Sequence, residues 1–380
     1  MNTKYFNNAG AGLMSSKTFD TILDHMRLEM SIGAYSAAKE KSEYVAQFYN
    51  LSAKLLNASS PEEIAFIDNA SRGWNLVMYG LKITSSDTIV TLSSEYGTNL
   101  LTIFDIAAKT GCSVKMISCE EDGSFDVAEI EKALKNGGNI LAISHVAAHG
   151  SIVNPVVDLG RLASIYNAIY IVDGCQAVGQ MKVDVQEIQC AAYITAGRKW
   201  LRGPRGTGIL YVKNGSPIRT PQIDLASAEL IMGDNGGVKG VSIRKDAKQF
   251  ELWEKSTALL LGLTNAIDEF LSYGADKANS ELSDRANAIR DAICNNMNLR
   301  IVGKRNALVG TAAFYLNNPA NEEKIKKLFS DEGLNISLMG DWDCPVSFPQ
   351  NGATVIFRIS PHYYTDFTEV VDLCQLISKI

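Results

Sequence analysis

The chain has no apolar stretch approaching the roughly 18 residues that a membrane span requires, so no membrane partner is expected. Its first residues, Met1-Asn-Thr-Lys-Tyr-Phe-Asn-Asn, lack the apolar core of a secretory leader. The seven cysteines are odd in number, scattered and without a Cys-x-x-Cys pair, which argues for reduced thiols rather than a disulfide frame. A basic surplus is also missing: 36 Lys and Arg stand against 42 Asp and Glu, for a net charge of -6. That balance gives no electrostatic footprint for nucleic acid or an anionic lipid surface. No internal repeat or low-complexity tract interrupts the chain. These absences leave a soluble, cytoplasmic enzyme acting on a small molecule as the expectation, with no metal site implied.

What is present is an ordinary globular composition, 46% apolar and 21% charged over 380 residues, long enough for two domains. Between about 60 and 212 short β-rich runs alternate with helical patterns. Thr88–Leu92, Ser113–Ile117, Ile140–Ile143 and Tyr170–Val172 read as buried strands, because their apolar residues are consecutive. Helices are expected at 98–109, 126–135 and 156–166. Strand–helix alternation predicts an α/β fold with a mostly parallel central sheet and helices on both faces. After about 255 come helices near 250–272 and 277–297, strands at 299–302 and 311–316, a helix at 321–331, a strand at 354–359 and a helix at 365–379. They make a smaller C-terminal α/β domain. The expected division is a large domain over 15–255 and a small one from 1–14 plus 256–380. The Gly- and Ser-rich stretch 226–243 is expected to be either a mobile loop or a subunit contact.

In such sheets ligands collect beyond the carboxyl ends of the strands. Ser71, Tyr96, His149, Asp173 and Lys199 all fall just past strand candidates. Lys199 lies in Thr195-Ala-Gly-Arg-Lys-Trp-Leu-Arg-Gly-Pro-Arg-Gly-Thr-Gly208, and Asp173 ends the run Ala168-Ile-Tyr-Ile-Val-Asp173. An amine able to form a Schiff base, together with a carboxylate for a pyridinium nitrogen, is what pyridoxal 5'-phosphate (PLP) asks of a protein. Asp68-Asn-Ala-Ser-Arg-Gly73 opens a helix, so Ser71 and the free N–H groups there suit a phosphate, with Arg72 adding charge. The plainer reading is an N-cap by Asn69 or Ser71. Tyr96 either stacks on the cofactor ring or is a half-buried core tyrosine. Gln176 offers hydrogen bonds to the cofactor's phenolic oxygen or imine. Arg358, ending the apolar run Val355-Ile-Phe, either takes an amino-acid carboxylate bidentately or forms a structural ion pair.

Together these segments resemble the class V aminotransferase family of fold type I PLP enzymes, which includes cysteine desulfurases. The resemblance runs from Tyr5-Phe-Asn-Asn-Ala-Gly10 to Arg358-Ile-Ser360. It implies that Lys199 carries the cofactor and that Asp173 and Gln176 hold its ring. It also implies that Gly206 and Thr207 reach the phosphate of a neighbouring subunit, hence a homodimer with shared sites. Three segments, Glu95–Leu100, Val146–Pro155 and Arg198–Gly206, are similar to the C–S lyases of ergothioneine and ovothiol biosynthesis. For this chain that implies β-elimination from a sulfoxide-linked cysteine–histidine conjugate, giving a thiohistidine product, pyruvate and ammonia. Arg198 then stands beside the cofactor, Arg358 binds substrate, and Lys199 takes the Cα proton. His149 or Tyr96 assists the leaving group, although His149 reads equally as a structural histidine; Asn8 and Tyr35 lie in segments that would line the substrate mouth. The rival is a cysteine desulfurase or selenocysteine lyase with Cys344, 14 residues before Arg358, as nucleophile. Asp341 and Asp343 beside it would raise its thiol pKa and oppose that role. Transamination and epimerisation use the same residues and stay open.

Overall fold

The computed structural model describes residues 4–380. In chain order the first elements are β1 (Lys4–Tyr5), α1 (Ser16–Ile32), α2 (Ala34–Glu40), α3 (Ser42–Leu56), β2 (Ile64–Ile67), α4 (Ala70–Tyr79), β3 (Thr88–Leu92), α5 (Gly97–Thr110), β4 (Ser113–Ile117) and α6 (Val127–Lys135). Next are β5 (Ile140–Ser144), α7 (Val156–Ile165), β6 (Ile169–Asp173), α8 (Val185–Ile188), β7 (Ala192–Ala196), β8 (Gly208–Val212), β9 (Ala228–Met232) and β10 (Val238–Ile243). The chain ends with α9 (Thr257–Tyr273), α10 (Ala275–Cys294), β11 (Leu299–Ile301), β12 (Ala312–Leu316), α11 (Glu322–Asp331), β13 (Leu334–Asn335), β14 (Ser337–Met339), β15 (Ile356–Ile359) and α12 (Phe367–Ile377).

Seven strands form the central sheet in the order β2-β8-β7-β6-β5-β3-β4. Pairings among β4, β3, β5, β6 and β7 are parallel, and only β8 runs against its neighbours. Its strands are apolar on consecutive positions because both faces are covered. In β6, Tyr170 and Val172 enter one apolar cluster and Ile171 the other; in β5, Leu141 and Ile143 separate in the same way from Ile140 and Ala142. Alternate side chains of a strand point to opposite faces, so each strand feeds two cores. Each fully buried Ile, Leu or Val there is worth about 1.5–3 kcal/mol. One core is closed by α3, α7 and α9, the other by α4 and α5. Caps fix the helix starts: Asp126 accepts from the Ala128 N–H at 2.9 Å and Ser256 from that of Leu259 at 3.3 Å.

The second sheet has four antiparallel strands in the order β11-β12-β15-β14. Phe314, Phe357 and Ile359 face a cluster with helix residues Ile289, Phe329 and Leu373, whereas Ala313 and Tyr315 face the opposite side with Val302 and Cys344. Arg358 alternates with Phe357 and so stands on that opposite side.

Three expectations need correction. Stretch 226–243 contains a hairpin, β9 paired antiparallel with β10, rather than a loop. β4 is not a buried strand: it is the sheet edge, and Ser113 and Lys115 are exposed. The long helix expected from 250 starts at Thr257 behind its Ser256 cap. α9 lies just past the expected division at 255 and packs against the large domain. Leu260, Leu263, Ile267 and Phe270 of α9 belong to the large core, while Phe6 packs in the small one. Among the described residues no helix is long and apolar enough to cross a membrane.

Candidate active site

The carboxyl rim of the central sheet carries one cleft. It is lined by Asp68, Asn69, Ala70 and Ser71 after β2, Tyr96 and Asn99 after β3, and Ser144, Val146 and Ala148 after β5. Asp173, Cys175 and Gln176 after β6, then Ala196, Arg198 and Lys199 after β7, and Gly206 and Thr207 before β8 complete it. Residues up to 139 positions apart, Asp68 and Thr207, meet because parallel strands deliver their carboxyl ends to the same side.

Lys199 follows β7 in a tight turn, in which the Arg202 N–H donates to the Lys199 carbonyl at 3.0 Å. Burial, with Arg198 and Arg358 nearby, pulls its amine below the usual lysine range, against Asp173, which favours the charged form. Asp173 ends β6 and is 9% exposed. Its carboxylate accepts from the Cys175 N–H at 2.9 Å and from Asn99 Nδ2 at 2.9 Å. Gly174 permits this turn, since a Cβ there would lie 1.9 Å from the Tyr193 ring. Tyr96 is half-buried at the N-cap of α5. Arg198 is half-buried and donates to the Gly10 carbonyl.

At the start of α4 the Asn69 side chain caps the helix, accepting from the Arg72 N–H at 2.8 Å. The first-turn N–H groups of Ala70 and Ser71, both on the cleft wall, are left for an anion. Ser71 is therefore in place but is not the cap. Arg72 is turned away: it pairs with Asp68 at 3.2 Å and donates to Gln222 at 2.8 Å. It does not line the cleft, and its expected phosphate role fails for that reason.

Further expectations are revised. The Gln176 amide reaches the cleft wall but is already engaged, donating to the Ala9 carbonyl at 3.1 Å and accepting from the Trp200 indole at 2.8 Å. Its oxygen is thus a strut for the Lys199 turn. Gly206 and Thr207, expected to reach the phosphate of a neighbouring subunit, line the cleft of their own chain. His149 is 1% exposed, lies off the cleft, and meets Ser347 at 3.3 Å through Nε2. Burial and the Arg358 charge hold its ring down to about 4, so it is neutral at physiological pH and is no ready proton donor. Asn8 is fully buried, donating to the Ser360 carbonyl at 2.7 Å and accepting from the Tyr364 hydroxyl. It clamps the N-terminal segment rather than facing substrate. Tyr35 is 76% exposed on α2 and outside the cleft.

Arg358 is 6% exposed. One terminal nitrogen donates to the Ala148 carbonyl at 2.7 Å and the other to Ser337 at 3.2 Å, while Nε is buried without a partner. A buried cation with an unpartnered donor and no carboxylate bonded to it fits an incoming carboxylate. Cys344 is wholly buried, and burial with Asp343 beside it pushes its thiol up to about 12.

Sequence reasoning missed Asn99, Glu95, Ser144 and Cys175. Asn99 and Glu95 sit in the same Glu95–Leu100 segment that drew attention for Tyr96; their four-residue spacing across a helix start was the available signal. PLP fits these residues on three grounds of this structure. An amine and Asp173 line the same cleft, the first-turn N–H groups of α4 not taken by the Asn69 cap offer donors, and a buried guanidinium keeps one nitrogen, Arg358 Nε, without a partner.

The model of the class-V aminotransferase family matches residues 4–373. The chain belongs to that family. It is accordingly a PLP-dependent enzyme. A probable cysteine desulfurase of Pyrococcus abyssi is 29% identical over 284 residues, 72% of this chain and 68% of the relative. Among solved structures, the apo cysteine desulfurase of Thermococcus onnurineus NA1 superposes with a TM-score of 0.88 at 22% identity, covering 99% of this chain and 94% of that one. The cystine C-S lyase C-DES, in complex with its product cysteine persulfide, gives 0.85 at 20% identity over 100% and 98% of the two chains. At those identities the two structures show that this chain has the fold type I architecture, with its mostly parallel central sheet.

Proposed function

We propose that this enzyme cleaves the Cβ–S bond of a cysteine-derived amino acid, with cysteine desulfuration as the leading form. One observation carries the reading: the Lys199 amine shares its cleft with Asp173, and the Arg358 guanidinium, whose Nε is without a partner, is near enough to depress it. When bound, PLP supplies an electron sink for charge developing at the substrate Cα.

The chain's residues then have separable tasks. Arg358 binds the substrate carboxylate through its free Nε and orients the Cα–H bond toward Lys199. The buried Lys199 amine accepts that proton, which requires its neutral form. Asp173 holds a proton at the pyridine nitrogen, and Asn99 holds Asp173. Tyr96 covers the ring face and limits water. The Ala70 and Ser71 N–H groups, with Gly206 and Thr207 opposite, suit the phosphate. Exposed apolar side chains on α1 and the β9–β10 hairpin, among them Met26, Met30, Leu230 and Met232, suit a second copy of the chain, and we place Tyr35 near that contact. Seven unpaired cysteines fit a reducing compartment such as the cytoplasm.

Desulfuration needs a thiolate to take the sulfur, and Cys344 is the candidate by its position before Arg358. Its burial means that the 341–344 turn must open first. The same burial favours a second reading, elimination from a sulfoxide-linked cysteine–histidine conjugate, which needs no protein thiol. Asp343, close enough for Arg358 and Lys199 to act on its carboxyl, would suit the imidazole of such a substrate. PLP-loaded protein supplied with L-cysteine and, separately, with the conjugate separates the two. Alanine and a persulfide that vanish in Cys344→Ala support desulfuration; pyruvate formed equally by wild type and Cys344→Ala supports elimination. Neither product from wild type refutes both.

A further inference from the structure

Behind the cleft lies a buried acid that none of the steps above uses. Glu95 follows β3 and is 0% exposed. Its carboxylate accepts from the Ser144 N–H at 2.5 Å, the Ser144 hydroxyl at 2.7 Å and Asn99 Nδ2 at 3.0 Å. The same Asn99 nitrogen gives its other hydrogen to Asp173 at 2.9 Å. An amide NH2 has two donors and no more, so Asn99 is fully spent bridging two carboxylates. Both Asn99 and Ser144 reach the cleft wall, whereas Glu95 does not.

We propose that Glu95 is a positioning residue for the cofactor: through Asn99 it fixes the Asp173 carboxylate and strengthens that group's hold on the ring-nitrogen proton. This deepens, and rests on, the PLP reading given above. A carboxylate on the far side of the amide polarises its N–H bonds and locks its rotamer, as successive hydrogen bonds in a buried chain reinforce one another. A second negative charge beyond Asn99 also makes Asp173 the better proton acceptor. The titratable groups facing Glu95 are Asp173 and Tyr170, both on β6; His145, next to Ser144, is turned to the Tyr193 hydroxyl at 2.8 Å. Burial raises the Glu95 carboxyl to about 7, against the pull of its Asn99 and Ser144 hydrogen bonds. Glu95 is thus charged above about pH 7 and neutral below it.

The test uses Glu95→Gln, which keeps shape but cannot become charged, and Asn99→Ala, which cuts the bridge. PLP affinity of the apoprotein and the pH dependence of the bound-cofactor absorption band are measured for wild type and both variants. Loss of one charge-assisted bond predicts PLP binding weaker by roughly 5–30-fold. The absorption transition is expected to move by about one pH unit in both variants. Should Glu95→Gln fail to fold, Asn99→Ala alone decides. If wild type binds PLP at Lys199 but the folded variants match it in affinity and in transition pH, the relay is overturned. If wild type itself takes up no PLP at Lys199, the cofactor reading falls instead.

Discussion

Acidification should unfold this protein through three histidines rather than through its surface. His145, His149 and His362 are buried, at 6%, 1% and 0% exposure. Burial lowers His145 and His149 to about 4 and His362 to about 3, the last despite its 3.0 Å contact with the Trp200 carbonyl. An unfolded histidine titrates near about 6.5, so below that pH the unfolded chain binds protons that the fold refuses. Stability is then present above about pH 6.5 and drains as pH falls toward the folded values. At pH 5, about 1.5 pH units below the free imidazole value, each ring costs about 2 kcal/mol. Three cost about 6 kcal/mol, which rivals the roughly 5–15 kcal/mol of a whole domain. Urea unfolding at pH 7 and pH 5 measures the loss. A triple His→Gln variant, less stable at pH 7, should lose about 6 kcal/mol less than wild type between the two pH values. Parallel losses in the two proteins would show that these rings are not neutral in the fold, and the reasoning would fail.

Arg290 is fully buried, with its guanidinium donating to the carbonyls of Arg305, Ala307, Val309 and Thr311 at 2.5–3.0 Å. Arg290→Leu leaves them unpaired and should cost about 3–5 kcal/mol in chemical unfolding. Gly97 meets the Trp342 carbonyl so closely that a Cβ would lie 2.0 Å from it. Gly97→Ala should push the 341–344 turn off α5, and a thiol reagent should label Cys344 faster than in wild type. Arg358→Lys keeps the charge but loses the planar fork; KM should rise by roughly 10–100-fold, about 1.5–3 kcal/mol, with a smaller change in kcat. Equal losses in kcat and KM would place Arg358 outside substrate binding.

The sequence by itself determined the layered α/β architecture and the rim that holds the chemistry. Consecutive apolar runs such as Ile140–Ile143, alternating with helical patterns, read as strands covered on both faces, and parallel strands send the residues after them to one side. That is why Lys199, Asp173, Tyr96 and Ser71 fall along one rim in the sequence pattern and in the fold alike. Tertiary structure alone decided which donors were free. Arg72 looked like a phosphate ligand until Asp68 took it, Gln176 looked like a cofactor ligand until Ala9 and Trp200 engaged its amide, and His149 looked like a proton donor until burial neutralised it. Hydrogen-bond capacity is spent by partners distant in sequence, and burial sets charge; neither is written in the local pattern. The Glu95–Asn99–Asp173 chain stayed hidden for the same reason, since the link from α5 to β6 exists only once the sheet has brought those two elements together.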